Sequence, residues 1–142
     1  MLTLSLIFNP TKDKVLMCFH KKIGQWNYVG GRSKDYETWL VASYREMTEE
    51  TGITKDDVEL VFVREEKTHA VAEYYPQHNL SKDWDIFVSA GVLKHDVELV
   101  EEKNHLEWID IEDVEHFVHG SAGLGNCYTY LLEALDVLGI KK

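Results

Sequence analysis

The 142-residue sequence is poor in cysteine and in positive charge. Its two cysteines, Cys18 and Cys127, lie far apart and match no metal-binding spacing. We therefore expect buried thiols in a reducing cytosol and no disulfide framework. Basic residues number 15 against 25 acidic ones, which gives a formal net charge of −10. Such a surface repels phosphate backbones and anionic lipids, so we expect neither nucleic acid nor a membrane as a partner.

Long apolar runs are also lacking. No stretch approaches the roughly 20 apolar residues that a membrane-spanning helix needs. The sequence predicts no secretory leader, because the apolar start lacks a basic region and soon reaches Asn9-Pro10. It contains no repeat, low-complexity segment or linker. With 44% hydrophobic residues, it fits a single cytoplasmic domain over residues 1–142 with a core of its own.

The pattern of apolar and turn residues predicts strands mixed with helices. The predicted strands are 2–8, 15–19, 26–29, 58–63 with a weak continuation to 72, 84–93 and 106–109. The predicted helices are 38–52, 111–117 and 128–138. In the first helix, Thr38 is the expected N-cap, Gly52 the expected C-terminal cap, and Leu40, Val41, Tyr44 and Met47 the apolar stripe. A hairpin followed by helical crossovers indicates an α/β fold with a mixed sheet and helices on its faces.

Three carboxylates, Glu46, Glu49 and Glu50, share one face of the first predicted helix, because i, i+3 and i+4 positions are neighbours. The like charges cost about a few tenths of a kcal/mol, and anions in the last turn oppose the helix dipole. Arg45 precedes Glu49, which is the weaker orientation for an i, i+4 ion pair. Because broken local rules tend to mark functional sites, we predict a cation partner, with a solvated helix face as the alternative. Carboxylate ligands favour Mg²⁺, or Mn²⁺, over zinc.

The segment that contains these carboxylates matches a known motif. In order it has Gly31, five residues, Glu37, seven residues, Arg45-Glu46, an apolar residue, one residue, Glu49-Glu50, one residue, Gly52 and an apolar residue. On this ground the sequence resembles the Nudix (MutT-like) hydrolases. The motif covers residues 31–53, and the flanking pattern extends the resemblance over most of the chain. The resemblance implies the Nudix fold, an α/β/α sandwich with a mixed β-sheet.

The resemblance also implies a metal site and its catalytic residues. The implied metal ligands are the carboxylates of Glu46, Glu49 and Glu50 and the carbonyl oxygen of Gly30. Arg45 is expected to hold a glutamate in position through its planar guanidinium group. Glu37, near the helix start, is a further candidate ligand, with a simple helix-start acid as the alternative.

Some Nudix hydrolases add an acidic residue from the loop before the last core strand. Here that loop contains Glu98, Glu101 and Glu102. Glu101 or Glu102 is therefore a further candidate for the metal site or for the general base. We favour Glu46 as the base, because a helix positions a water more rigidly than a loop. The predicted catalytic residues are then Glu46, Arg45 and Glu49.

The substrate implied by the resemblance is a nucleoside diphosphate linked to another group. Residues 24–31, GQWNYVGG, look like the segment that precedes the box in triphosphate pyrophosphohydrolases acting on oxidised purines. There an asparagine reads a base edge, a role that Asn27 would take here, with a turn amide as the alternative. The candidate phosphate contacts are basic residues near the box: Arg32, Lys21, Lys22 and His20. The expected reaction is hydrolysis of a nucleoside triphosphate, oxidised purines included, to the monophosphate and pyrophosphate.

Three other functions stay open. The chain could be a catalytically silent Nudix domain that senses a nucleotide, although it keeps every carboxylate of the box. It could hydrolyse another nucleoside-diphosphate-linked metabolite, or be an acidic structural domain without a ligand. Against the oxidised-purine substrate, the segment His119-Gly120-Ser121 lacks the paired aspartates of some of those enzymes. The sequence does not indicate an oligomeric state.

Overall fold

A computed structural model describes residues 1–21, 24–68, 84–118 and 128–141. Outside these residues lie Lys22, Cys127, the predicted continuation of a strand from 69 to 72 and the segment His119-Gly120-Ser121. Among the described residues, no helix is long and apolar enough to cross a membrane.

The described residues form one mixed sheet and three α-helices. The strands are β1 Leu2–Phe8, β2 Lys14–His20, β3 Gln25–Asn27, β4 Val29–Arg32, β5 Val61–Thr68, β6 Trp84–Val92 and β7 His105–Asp110. The helices are α1 Trp39–Thr51, α2 Val114–Val118 and α3 Tyr128–Leu138, and a 3₁₀ turn, Ile111–Asp113, precedes α2. The predicted elements are therefore confirmed, with shifts at some boundaries. The largest shift is at β5, since Val58 makes an isolated bridge to Leu93 and the strand begins at Val61.

The sheet has the order β3-β2-β1-β6-β5, with β4 beside β1 and β7 beside β2. β1 runs parallel to β6, whereas its pairings with β2 and β4 are antiparallel. β2 is antiparallel to both β3 and β7, and β5 is antiparallel to β6. The mixed sheet predicted from the sequence is thus confirmed.

The strands β1 and β2 diverge, and the segment Gln25–Arg32 fills the gap between them. β1 and β2 are in register at Phe8 and Val15, near the hairpin turn. Further away, β3 pairs with β2 and β4 pairs with β1. The predicted single strand at 26–29 is therefore two strands with different partners. A Cβ atom on Gly30 would lie 1.9 Å from the carbonyl oxygen of Thr3, so only glycine fits at this approach to β1.

Helices cover both faces of the sheet, which confirms the α/β/α sandwich. One core packs α3 against alternate residues of β1 and β2 and centres on Leu6, Met17 and Leu131. The other packs α1 against the opposite face and centres on Ile7, Leu16 and Met47. Each such fully buried side chain contributes about 1.5–3 kcal/mol relative to an exposed one. The second of these cores holds α1 against β1 and β4.

The ends of α1 were predicted correctly, but its buried face was predicted only in part. Thr38 caps the N-terminus by accepting a hydrogen bond from Val41 N, and Gly52 caps the C-terminus at φ 81°. The predicted apolar stripe is wrong for Leu40 and for Val41, which is 55% exposed. The prediction is right for Met47, and the other buried residues of the helix are Ala42, Ser43, Glu50 and Thr51. Polar residues fit this face because the Ser43 and Thr51 hydroxyls donate to carbonyls of their own helix, each at 2.7 Å.

Candidate active site

The last turns of α1 place Glu46 beside the glycine pair. A Cβ atom on Gly31 would lie 2.4 Å from Glu46 Oε2, so the carboxylate lies directly against the backbone of this residue. Burial raises the pKa of Glu46, and Arg45 opposes this shift. The Glu46 carboxylate therefore lies against the Gly31 backbone in a partly desolvated environment.

Glu50 points the same way but lies deeper, with 5% of its surface exposed. The Cys18 thiol donates a hydrogen bond to Glu50 Oε2 at 3.4 Å, and the Gly30 backbone also hydrogen-bonds the carboxylate. Burial is the largest cause that raises its pKa, to about 8. An ionised Glu50 is therefore costly unless a cation neutralises it.

Glu49 is the most exposed of the three carboxylates, with 41% of its side chain accessible against 14% for Glu46. Its Oε2 atom lies 3.2 Å from Arg45 Nη1 and 3.7 Å from Lys103 Nζ. The three carboxylates predicted to share one helix face thus form one cluster, in which Glu50 is the most buried and Glu49 the most exposed. Glu49 already has two cationic partners, Arg45 and Lys103.

Arg45 connects this cluster, through hydrogen bonds, to the segment that precedes α1. Its Nε and Nη2 atoms donate to Glu37 Oε2 and Oε1 at 2.6 and 2.8 Å. Its Nη1 donates to Glu46 at 3.0 Å and to Glu49 at 3.2 Å, while Nη2 also reaches the Arg32 carbonyl at 3.1 Å. The guanidinium group therefore fixes two carboxylates of the cluster, as predicted for a positioning arginine.

Glu37 anchors this arginine. Besides the two bonds from Arg45, its Oε1 accepts a hydrogen bond from Lys34 N at 2.7 Å. Hydrogen bonds from Arg45, and next from the Lys34 backbone, lower the pKa of Glu37 to about 2. Both oxygens are engaged, so the geometry gives Glu37 a positioning role. Its predicted direct contact with a metal stays a prediction.

Replacing Arg45 by lysine should lower kcat at least about tenfold, because hydrogen bonds to charged groups contribute roughly 1.5–3 kcal/mol each. Lysine keeps the charge but cannot span Glu37 and Glu46 together. Steady-state kinetics check this, with Arg64→Lys as the matched control at the remote Arg64–Glu133 pair. An unchanged kcat in Arg45→Lys would show that charge alone suffices.

The acidic loop before β7 docks on the end of α1. Val100 N donates to the Thr51 carbonyl at 2.9 Å, and Lys103 reaches Glu49 as described. Glu101 Oε1 accepts a hydrogen bond from Leu106 N at 2.8 Å and lies 3.1 Å from His105 Nδ1. All three loop acids, Glu98, Glu101 and Glu102, are exposed, and Glu101 is bound to the start of β7.

Three of the predicted substrate contacts lie on strands: His20 on β2, Asn27 on β3 and Arg32 on β4. Asn27 is 1% exposed and pairs with Cys18 across β2 and β3, so it faces the same side of the sheet as that thiol. Arg32 and Lys21 are exposed, and His20 is half-buried. The structure therefore brings Asn27 to the face of the sheet that α1 covers.

The sequence reading missed a second group of possible ligands. Cys18, His20 and Glu50 have ligand atoms within 4.8 Å of one another. Cysteine spacing along the chain does not indicate this group, because the Cys18 thiol meets a carboxylate that lies 32 residues away in the sequence. The sequence contains one indication of this group: Cys18 and His20 are two residues apart, which places both side chains on one face of a strand.

The family model described as NUDIX domain matches residues 3–125. The chain belongs to the Nudix family. Comparison with curated proteins gave no significant match.

Solved structures share the Nudix fold along most of the chain. A Caenorhabditis elegans Ap4A hydrolase has a TM-score of 0.74 at 16% identity, with 97% of this chain and 96% of that chain covered. The Escherichia coli dihydroneopterin triphosphate pyrophosphohydrolase has a TM-score of 0.72 at 17% identity, covering 95% and 92%. A MutT structure from work on Aliivibrio salmonicida and Vibrio cholerae has a TM-score of 0.65 at 18% identity, covering 95% and 96%.

Family membership makes the protein a Nudix hydrolase, an enzyme class that acts on nucleoside-diphosphate-linked substrates. Nudix hydrolases generally use a divalent metal, and side chains able to hold one are present here. The residues fit this requirement, because Glu50 is a buried carboxylate whose ionised form needs a cation. The adjacent Glu46 carboxylate and glycine backbone add further oxygen donors.

Proposed function

We propose that this Nudix hydrolase uses Mg²⁺ to convert a nucleoside triphosphate to the monophosphate and pyrophosphate. The observation that carries the proposal is the cluster of Glu46, Glu49 and Glu50 against the Gly30-Gly31 backbone. Its buried member is costly to ionise without a cation, so the site suits a hard divalent ion and its anionic ligand. The pyrophosphohydrolase among the structural neighbours acts on a triphosphate, which supports this choice of substrate class.

Four groups would hold the metal: the carboxylates of Glu46, Glu49 and Glu50 and the carbonyl oxygen of Gly30. Mn²⁺ is a suitable substitute for Mg²⁺, because both prefer oxygen ligands. When bound, the metal neutralises phosphate oxygens and polarises the phosphorus atom. Arg45 keeps the Glu46 and Glu49 carboxylates in place through the hydrogen bonds described above.

Glu46 is the proposed general base. It lies one turn before Glu49 and Glu50 on α1, and its raised pKa suits an acceptor of a proton from water. Arg32, Lys21, Lys22 and His20 are proposed to contact the phosphate groups. A cytoplasmic location is part of the proposal, since Cys18 is a free buried thiol.

Asn27 is proposed to read a purine edge. Replacing it by alanine should raise KM for a purine triphosphate about tenfold and lower kcat less, because it removes binding shared by ground and transition states. Steady-state kinetics with matched purine and pyrimidine triphosphates test this. Thermal melting of the variant controls for loss of fold, because Asn27 is buried. An equal rise in KM for both substrates would mean that Asn27 only shapes the loop.

A nucleotide panel tests the proposed function. The panel comprises purine, oxidised purine and pyrimidine triphosphates, Ap4A and ADP-ribose with Mg²⁺, and phosphate and pyrophosphate are measured separately. We expect pyrophosphate from a purine triphosphate. Release of phosphate alone, or turnover confined to Ap4A or ADP-ribose, would contradict the proposal. Tight nucleotide binding without turnover would favour the silent sensor.

A further inference from the structure

A second group of ligands lies beside the proposed magnesium site. The thiol of Cys18, the imidazole of His20 and the carboxylate of Glu50 offer one sulfur, one nitrogen and one oxygen atom within 4.8 Å of one another. Cys18 is fully buried and His20 is half-buried. A set of sulfur, nitrogen and oxygen donors is an uncommon combination for a hard metal ion.

The fold holds these donors together before any ligand arrives. Cys18 and His20 are two residues apart on β2, so both side chains leave the same face of the strand. β2 is fixed on both sides at this level, because Cys18 pairs with Asn27 on β3 and with Leu106 on β7. The last turn of α1 places Glu50 against that face, where its carboxylate accepts a hydrogen bond from the Cys18 thiol.

The distances suit a tetrahedral ion. Metal–ligand bonds of about 2.0–2.3 Å to nitrogen, oxygen and sulfur place neighbouring donors roughly 3.4–3.6 Å apart. The observed separation of 3.4 Å between Cys18 Sγ and Glu50 Oε2 already falls in this range. The remaining separations are at most 4.8 Å. Mg²⁺, in contrast, prefers six oxygen ligands and takes sulfur poorly.

We propose that Cys18, His20 and Glu50 form a site for Zn²⁺ or another late divalent transition metal, with one position open to water or a phosphate oxygen. Binding replaces the Cys18 thiol proton with the metal, and the proton leaves to solvent. Because Glu50 also belongs to the proposed Mg²⁺ site, one ion excludes the other. This last consequence rests on the proposed function: Zn²⁺ should inhibit hydrolysis in competition with Mg²⁺.

Cobalt is a direct probe of the new site, because Co²⁺ bound to a thiolate absorbs in the near ultraviolet through charge transfer. We expect this band when Co²⁺ is added to the wild-type protein without Mg²⁺. Cys18→Ser should lose the band, and His20→Asn should weaken Co²⁺ binding at least about tenfold, as losses around metal sites commonly do. Cys127→Ser is the matched control and should retain the band.

The inhibition is measured separately by titrating Zn²⁺ into the Mg²⁺-supported reaction. Cys18→Ser should need at least about tenfold more Zn²⁺ for half-inhibition, each variant being compared with its own rate without Zn²⁺. Absence of the cobalt band in the wild type, or its retention in Cys18→Ser, would overturn the site. Circular dichroism shows whether each variant folds. If no nucleotide is hydrolysed, the proposed function fails, while the cobalt titration still decides the metal site.

Discussion

Replacing Glu50 by glutamine should lower kcat at least about 100-fold and raise the melting temperature of the metal-free protein. The loss follows from removing a buried metal carboxylate, for which several kcal/mol of charge stabilisation is typical. The gain in stability follows from the pKa of about 8, which lies above the ordinary value of 4.5. The charged form is disfavoured in the fold, and glutamine removes that charge while keeping the shape.

The pH dependence of this gain has a defined sign. Below pH 4.5 the Glu50 carboxyl is protonated whether the chain is folded or unfolded, so the charge costs nothing there. As pH rises towards 8, the unfolded chain releases the proton while the fold retains it, and stability falls by up to about 1.4 kcal/mol per pH unit. Glu50→Gln should therefore stabilise the metal-free protein most at pH 8 and above. Each kcal/mol gained would raise the melting temperature by roughly 4 °C.

Thermal melting in EDTA and in Mg²⁺, together with kcat at saturating Mg²⁺, measures both effects. Mg²⁺ should stabilise the wild type more than Glu50→Gln. Glu49→Gln is the informative comparison, because Glu49 is half-exposed and should lose activity without the gain in melting temperature. Glu98→Gln, on the exposed loop, should change neither. Normal turnover of Glu49→Gln or Glu50→Gln at limiting Mg²⁺ would remove that residue from the ligand set.

Glu46→Gln should lower kcat about 100-fold or more, in the range that general bases contribute. Glu101→Gln and Glu102→Gln should each cost less than about tenfold. The structure explains the difference for Glu101, whose carboxylate is held by Leu106 N and His105. Lys103, the next residue after these loop acids, reaches Glu49.

The pH–rate profile separates the general base from a metal ligand. Burial raises the pKa of Glu46, so the wild-type rate should fall as pH drops through that value and the carboxylate takes up a proton. Glu46→Gln should flatten this acidic limb because glutamine does not titrate. The assignment fails if Glu46→Gln keeps the limb and Glu101→Gln or Glu102→Gln abolishes it. In that case the loop supplies the base.

Local features of the sequence predicted α1 well. The cap residues Thr38 and Gly52 act through neighbouring backbone atoms, so their effect can be read from the chain nearby. The shared face of Glu46, Glu49 and Glu50 follows from helix geometry alone. The rotation of the helix against the sheet was predicted less well, because Ser43, Glu50 and Thr51 are buried by contacts that the helix sequence does not encode.

Contacts between distant segments were the least accessible to sequence reasoning. The partners of Arg45 could be named only in general, since its bond to Glu37 depends on how the chain turns before α1. The contact between Cys18 and Glu50 joins β2 to α1 across 32 residues. Its prediction needs the register of β2 in the sheet, which is set by pairing with both β3 and β7. Within residues 25–32 the pairing partner changes from β2 to β1. This change depends on the divergence of β1 and β2.

The most direct test of the account is a crystal structure with Mn²⁺ and a non-hydrolysable nucleoside triphosphate analogue, with Mn²⁺ located by anomalous scattering. We predict Mn²⁺ bound to the Gly30 carbonyl oxygen and to carboxylates of Glu46, Glu49 and Glu50, in contact with the analogue's phosphates. Mn²⁺ found only at the loop acids Glu98, Glu101 and Glu102, away from α1, would contradict it.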